Sequence, residues 1–295
     1  MVMGKIDWSI WLGLGRVSNL PTVWTNTIAG VVLAGGAISD PRLLLLLLAM
    51  SACYIAGMFL NDVFDSEIDA LERPERPIPS GLIDAATVSK AAWALFGLAV
   101  VLLLIIGFLF NNGTGWWPLL FGIFLIAAIV FYNVHHKDNP ASPIVMGTCR
   151  MLVYLSCAYA ITSKPSLSVF ICAVLAVAYL IGLTYVAKQE NLTEIKNLWP
   201  LACLGLPIIY GLTQISHQNY TWIYLLILVT WVVFTCSNLW RKPVGYIPRT
   251  VVGLIAGIAL LDALFVAAAG EPVIAMFCVA AFALTLFLQR WVSGT

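Results

Sequence analysis

Apolar residues in this chain come in long runs broken by short polar stretches. Ten runs of about 18 to 23 residues, each enough to cross a hydrocarbon core of roughly 30 Å, fall near 18–38, 42–62, 88–110, 116–134, 143–163, 167–187, 198–216, 220–240, 250–269 and 272–289. The breaks are brief, for example Ser163-Lys164-Pro165-Ser166 and His217-Gln218-Asn219. Lipid offers no water to backbone amides and carbonyls, so uninterrupted runs of this length are helices rather than strands. The expectation is an all-α, polytopic transmembrane bundle forming a single domain over residues 1–295. Asp7 and Trp8 stand where a signal peptide needs its apolar stretch, so no cleavage is expected.

Composition agrees with the pattern. Of 295 residues, 61% are hydrophobic and 10% charged, far below the quarter or so typical of soluble domains. Fifteen basic residues nearly cancel fourteen acidic ones, which leaves no basic field for nucleic acid. The seven cysteines lie singly in apolar runs without zinc spacing and read as small core residues.

Charge placement predicts orientation. With both termini cytoplasmic, one set of loops holds Lys5, Arg16, Arg73, Arg76, Lys90, Lys137, Lys188, Lys196, Arg241, Lys242, Arg249 and Arg290, and the other only Arg42 and Lys164. That bias matches the positive-inside rule and an even number of spans in a bacterial-type cytoplasmic membrane. The acids are unevenly placed too, since residues 61–90 hold seven of the fourteen. With Tyr132 to Asn139 and Lys188 to Asn197, this segment brings three polar loops to one mouth of the bundle, suited to the ionic head of a lipid-linked substrate.

At 100° per residue, Asp62, Asp65 and Asp69 at the end of the second run fall within an arc of about 60°, with Asn61 some 40° beyond. Like charges so spaced weaken a helix unless a cation neutralises them. Carboxylates with an amide carbonyl are hard ligands suited to Mg²⁺, which also binds substrate phosphates, so a metal-bridged diphosphate is the expected ligand. The following Arg73-Pro74-Glu75-Arg76-Pro77-Ile78-Pro79 ends the helix at its prolines and presents two guanidinium groups able to grip phosphate oxygens.

The run NDVFDSEIDALERPERPIPSG resembles the first aspartate-rich motif of the UbiA superfamily of intramembrane prenyltransferases, Asn-x-x-x-Asp-x-x-x-Asp followed by an Arg- and Pro-bearing loop. Arg16 and Asn19 entering the first helix, Tyr132 and Lys137 after the fourth, and Tyr185 near the end of the sixth extend the resemblance over most of the first 200 residues. It implies a bundle, commonly of nine spans, with a cytoplasmic cap and an opening to lipid. Asn61, Asp65 and Asp69 would bind Mg²⁺ and diphosphate, Asp62 would support them, Arg73, Arg76 and Lys137 would hold phosphate oxygens, and Tyr132 would face the reacting centre. The first motif is also similar to that of the EboC branch, associated with moving or maturing a metabolite.

The family's second motif, Asp-x-x-Tyr-Ala-x-x-Asp-x-x-x-Asp, is altered here. Tyr185 matches, but Gly182, Gln189 and Thr193 occupy the aspartate positions, with Glu190 and Glu194 one place later and Lys188 beside them. Two charges fall inside predicted spans. Arg150 is expected to face the bundle and reach the diphosphate, because an intramembrane charge is functional by default. Asp262 has no partner evident in the sequence, and a hydrogen bond between helices stands beside a substrate role as its reading. His135 and His136 lack a third metal ligand and read as an interfacial loop. The reading is a Mg²⁺-dependent transfer of a prenyl chain from an isoprenoid diphosphate to an aromatic acceptor in the membrane. The rival is a UbiA-like protein that binds or translocates a lipid or metabolite without prenyl transfer.

Overall fold

The structure, a computed structural model, describes residues 8–137, 139–188, 201–215, 220–242, 245–292 and 294. Among them are eleven α-helices and no strand: α1 (Trp8–Leu14), α2 (Leu20–Leu33), α3 (Arg42–Glu72), α4 (Ala85–Phe108), α5 (Trp117–His135), α6 (Ser142–Ile161), α7 (Leu167–Ala187), α8 (Ala202–Thr213), α9 (Thr221–Arg241), α10 (Tyr246–Ala268) and α11 (Pro272–Leu288). A 3-10 turn, Val17–Asn19, joins α1 to α2.

Seven helices, α3 to α7 with α9 and α10, are long and apolar enough to cross a membrane. Three of the ten expected spans are shorter. The run at 18–38 yields only the 14 residues of α2, entered through Pro21 and ended before Gly35, whose φ of 81° requires a left-handed backbone. The described part of the run at 198–216, residues 201–215, holds the 12-residue α8, with Pro207 inside it, and the last run yields the 17-residue α11. Apolar composition marked these segments as helix, and in α2 Pro21 and Gly35 set the bounds. By contrast α3 is overlong. Its 31 residues extend about 46 Å at 1.5 Å per residue, so its C-terminal turns project beyond a hydrocarbon core of roughly 30 Å. Arg73, which precedes Pro74, leaves the helical region with φ of −143° and ψ of 63° and stops it.

Successive helices alternate direction and create two ends. At one, Arg42 is buried and ties Asp40 to the carbonyls of Asn112 (3.0 Å) and Ala160 (2.9 Å), while Ser166 Oγ donates to Leu33 O. An arginine that departs from the positive-inside bias is thus a structural clasp. At the other end, Gln289 and Gly294 meet Asn19, so α11 returns the chain to the end from which α2 starts. The core is densest around α10, which packs against α2, α7, α9 and α11.

Close approach between helices is made by small residues. A Cβ at Gly30 of α2 would lie 2.9 Å from both Cys157 Cβ and Tyr154 O of α6, and one at Gly147 of α6 would lie 3.1 Å from the Val177 backbone of α7.

Candidate active site

The projecting end of α3 carries the acidic cluster. Asn61, Asp62 and Asp69 are buried, and protein cations neutralise the carboxylates. Arg76 Nη1 lies 3.3 Å from Asp62 Oδ1 and 2.9 Å from Asp69 Oδ2. The loop after α3 therefore folds back on the helix, and its arginine bridges two acids seven residues apart, as their shared face requires. From the other side Arg16 Nη2 reaches Asn61 Oδ1 (3.3 Å) and Asp62 Oδ1 (3.5 Å). Arg16 holds this position with φ of 42°, a left-handed backbone uncommon for a non-glycine residue, at the corner between α1 and the 3-10 turn.

Asp65 belongs to a separate pair. Lys137 Nζ is 2.7 Å from its Oδ1 and His136 Nε2 is 3.5 Å away, both from the loop after α5. That oxygen is buried and accepts no well-aligned hydrogen bond despite the two ion-pair distances. The Asp65 carboxylate raises the pKa of His136 above the ordinary imidazole value. Tyr132 stacks on His136 with ring centroids 5.1 Å apart and continues the contact downward.

Beneath the acids is a cavity of about 100 Å³. Gly57 and Met58, one helical turn before Asn61 and Asp62, form one wall, and Tyr54, Tyr132, Cys149 and Arg150 are among the others. Tyr54 Oη donates to Arg16 O (3.3 Å) and Asn133 Nδ2 to Gly57 O (3.1 Å), which fastens the cavity to the cluster above it.

The sequence-expected residues therefore divide. Asn61, Asp62, Asp65, Asp69, Arg76 and Lys137 gather at one mouth with Tyr132 below them. Arg73 is half-buried at the end of α3 and makes no ion pair among the described residues. Tyr185 and Lys188 lie at the end of α7, and Lys188 Nζ donates to Asn139 O, joining α7 to the loop that carries His136 and Lys137. Gln189, Glu190 and Glu194 lie outside the described residues. Arg150 is set apart from the carboxylates. It donates to Thr22 O, Thr22 Oγ1 and Asn26 Oδ1, in the span below.

Sequence reasoning gave His136 no part in the site and left Asp262 between an interhelical hydrogen bond and a substrate role; the structure shows the hydrogen bond. His136 is not a loose interfacial histidine but a partner of Asp65; its position next to Lys137 on the acid-bearing side was the available signal. Asp262 does have partners, for Thr25 Oγ1, Asn26 Nδ2 and Tyr154 Oη all donate to its carboxylate. They lie on α2 and α6, more than a hundred residues away in sequence.

A divalent metal fits this donor set in one particular way. Asn61, Asp65 and Asp69 supply hard oxygens, and Asp65 Oδ1 is a buried oxygen lacking an aligned donor. Among the described residues no three His, Cys, Asp or Glu side chains converge as a ready-made cage. Mg²⁺ commonly takes only one or two protein carboxylates and completes its shell with water and substrate phosphate. The site suits an ion shared with a diphosphate.

Comparison with known proteins agrees with this architecture. The UbiA prenyltransferase family matches residues 23–244. Relatives named digeranylgeranylglyceryl phosphate synthase include those of Metallosphaera sedula (30% identical, over 41% of this chain and 40% of the relative) and Methanobrevibacter smithii (28%, over 58% and 59%). The matched region thus spans about two to three fifths of those relatives. A solved structure of a UbiA homolog from Aeropyrum pernix K1 superposes with a TM-score of 0.64 at 14% identity, over 89% of this chain and 98% of that one. A second, described as concerning digeranylgeranylglyceryl phosphate synthase in membranes, gives 0.63 at 21% identity, over 90% and 100%. With the family matched over most of the chain, and with its fold present, this protein belongs to the UbiA prenyltransferase family.

Proposed function

We infer that this protein transfers a prenyl chain from an isoprenoid diphosphate to an electron-rich acceptor held in the cavity. The observation that carries this reading is vertical order: carboxylates straddled by Arg16, Arg76 and Lys137 lie directly above an apolar cavity faced by Tyr132. Arg76, Lys137 and Arg73 would take phosphate oxygens, exchanging their carboxylate partners for the anionic substrate. Asn61, Asp65 and Asp69 would hold Mg²⁺, which when bound stabilises negative charge growing on the leaving diphosphate. The apolar walls exclude water that would quench an allylic cation, and the tyrosine rings bound the space where the acceptor meets it. The sequence reading favours an aromatic acceptor; the relatives' names add a glyceryl phosphate as the second class to try. We also read the bundle as nine or ten crossings, with both termini and the acidic mouth cytoplasmic.

Gly182, Gln189 and Thr193 at the second motif's aspartate positions favour the rival, a protein that binds or moves a prenyl lipid without transferring it. The purified protein, tested with isotope-labelled prenyl diphosphates of graded chain length against aromatic and glyceryl phosphate acceptors, separates the two. Labelled product that disappears with chelator supports transfer. Prenyl-lipid binding without product in any combination replaces it with the rival.

A further inference from the structure

Arg150 is a guanidinium in the wall of the cavity whose bonds leave one edge unused. It has five N–H groups. Nη1 donates to Thr22 O (3.2 Å) and Asn26 Oδ1 (2.8 Å), and Nη2 donates to Thr22 Oγ1 (3.0 Å). Nε–H and the second Nη2–H have no acceptor among the described residues. Because Thr22 accepts from both terminal nitrogens, it sits against the end-on edge. What remains is the Nε–Nη2 edge, the pair of parallel donors that grips a carboxylate or phosphate through two oxygens. Nε retains accessible surface, and the side chain lines the cavity.

The surroundings hold this edge still and argue against two other occupants. Asn26, which accepts from Arg150, donates through its amide to both oxygens of Asp262, so a fully buried carboxylate supports the guanidinium at one remove. Asp262 is in turn fastened by Thr25 and Tyr154. A prenyl tail has no oxygen to offer the free donors. The diphosphate already has Arg16, Arg76 and Lys137 at the carboxylates, and Arg150 contacts none of those groups.

We propose that Arg150 is the specificity-determining residue for the acceptor, binding an anionic head group, carboxylate or phosphate, through its Nε–Nη2 edge. Arg150 thereby acts on the acceptor and not, as its sequence position suggested, on the diphosphate. The inference rests on the transferase reading and names the chemistry of its second substrate.

The test compares an acidic acceptor with its neutral methyl ester in the parent protein, then repeats the pair in Arg150→Gln and Arg150→Lys. The parent is expected to favour the acid by about tenfold to a hundredfold in kcat/KM, the range of a lost charge-assisted bond. Arg150→Gln should remove that preference and raise the acceptor KM while leaving the prenyl diphosphate KM within about twofold. Arg150→Lys should restore only part of it, because an ammonium lacks the two-point edge. Carboxylate and phosphate acceptors run side by side identify which anion is used. A parent that does not distinguish acid from ester overturns the proposal without any variant. A rise confined to the diphosphate KM returns Arg150 to the leaving group and also overturns it. If no acceptor is prenylated at all, the transferase reading fails separately, and calorimetric binding of the acid and its ester to the parent decides the question: equal affinity refutes the anion site, and preference for the acid upholds it.

Discussion

Asp65 differs from Asp62 and Asp69 in what holds it, and this difference gives each acid its own test. Arg76 bridges Asp62 to Asp69, whereas Asp65 is matched by Lys137 and His136. Asp65→Asn and Asp69→Asn should each abolish Mg²⁺-dependent binding of a prenyl diphosphate, with a few kcal/mol of transition-state stabilisation lost in turnover assays. Both should stay monodisperse in detergent, because their side chains lie at the projecting end of α3 and not in its packed span. Unchanged affinity and turnover in both variants would remove the site. His136 supplies a pH signature. The carboxylate raises its pKa, so the stability it contributes is complete below the unfolded imidazole value of about 6.5 and is lost as pH rises through the raised folded value. Nitrogen NMR of labelled histidine should place its midpoint above 6.5, and Asp65→Asn should lower that midpoint; no movement would show that the pair does not form in solution.

Elements meet where side chains are smallest. The contact of α2 with α6 at Gly30 also sets the spacing over which Thr22 and Asn26 reach Arg150. Gly30→Val puts methyl groups where the Tyr154 backbone already stands 2.9 Å from a bare Cβ, and overpacking of this kind typically costs about 1–3 kcal/mol. A thermal shift in detergent should show the loss, with Gly97→Ala in α4 as the control, since nothing lies within 4 Å of a Cβ there. Equal melting of the two variants would mean that α2 and α6 do not approach this closely. Accessibility is also an element-scale matter. Asn133 follows the expected loop side in sequence, yet it is a buried residue of α5 bonded to Gly57 and cannot serve as a surface label.

At the scale of the molecule, Asp262 ties the chain's ends together. It lies on α10 and accepts from Thr25 and Asn26 of α2 and Tyr154 of α6. Asp262→Ala leaves those donors buried without an acceptor and removes the charge that supports Arg150, so a destabilisation of about 3–5 kcal/mol is expected from thermal unfolding. Asp262→Asn keeps the shape and should cost less. The sidedness of the bundle is tested with single cysteines in a cysteine-free background: positions 80 and 113 should label from opposite sides of the membrane, and labelling from the same side would defeat the proposed orientation.

Much was legible without coordinates, for physical reasons that act locally. Hydrocarbon forces apolar runs into helices, so the all-α class followed from run length alone. Helical spacing placed Asp62, Asp65 and Asp69 on neighbouring faces, and prolines after Arg73 ended the helix where the structure ends it. What depended on the tertiary structure was partnership. No spacing within one segment indicates that Arg76 folds back onto Asp62 and Asp69 while His136 and Lys137 cross from α5 to Asp65. Nor does it show that Asp262 would find its donors more than a hundred residues earlier in the chain. The length of α2 likewise came from Pro21 and Gly35 acting within a run that hydropathy alone reads as continuous. Burial in lipid selects helix from composition, but a charge in a low-dielectric interior is stable only beside a specific partner, and that partner is supplied by packing.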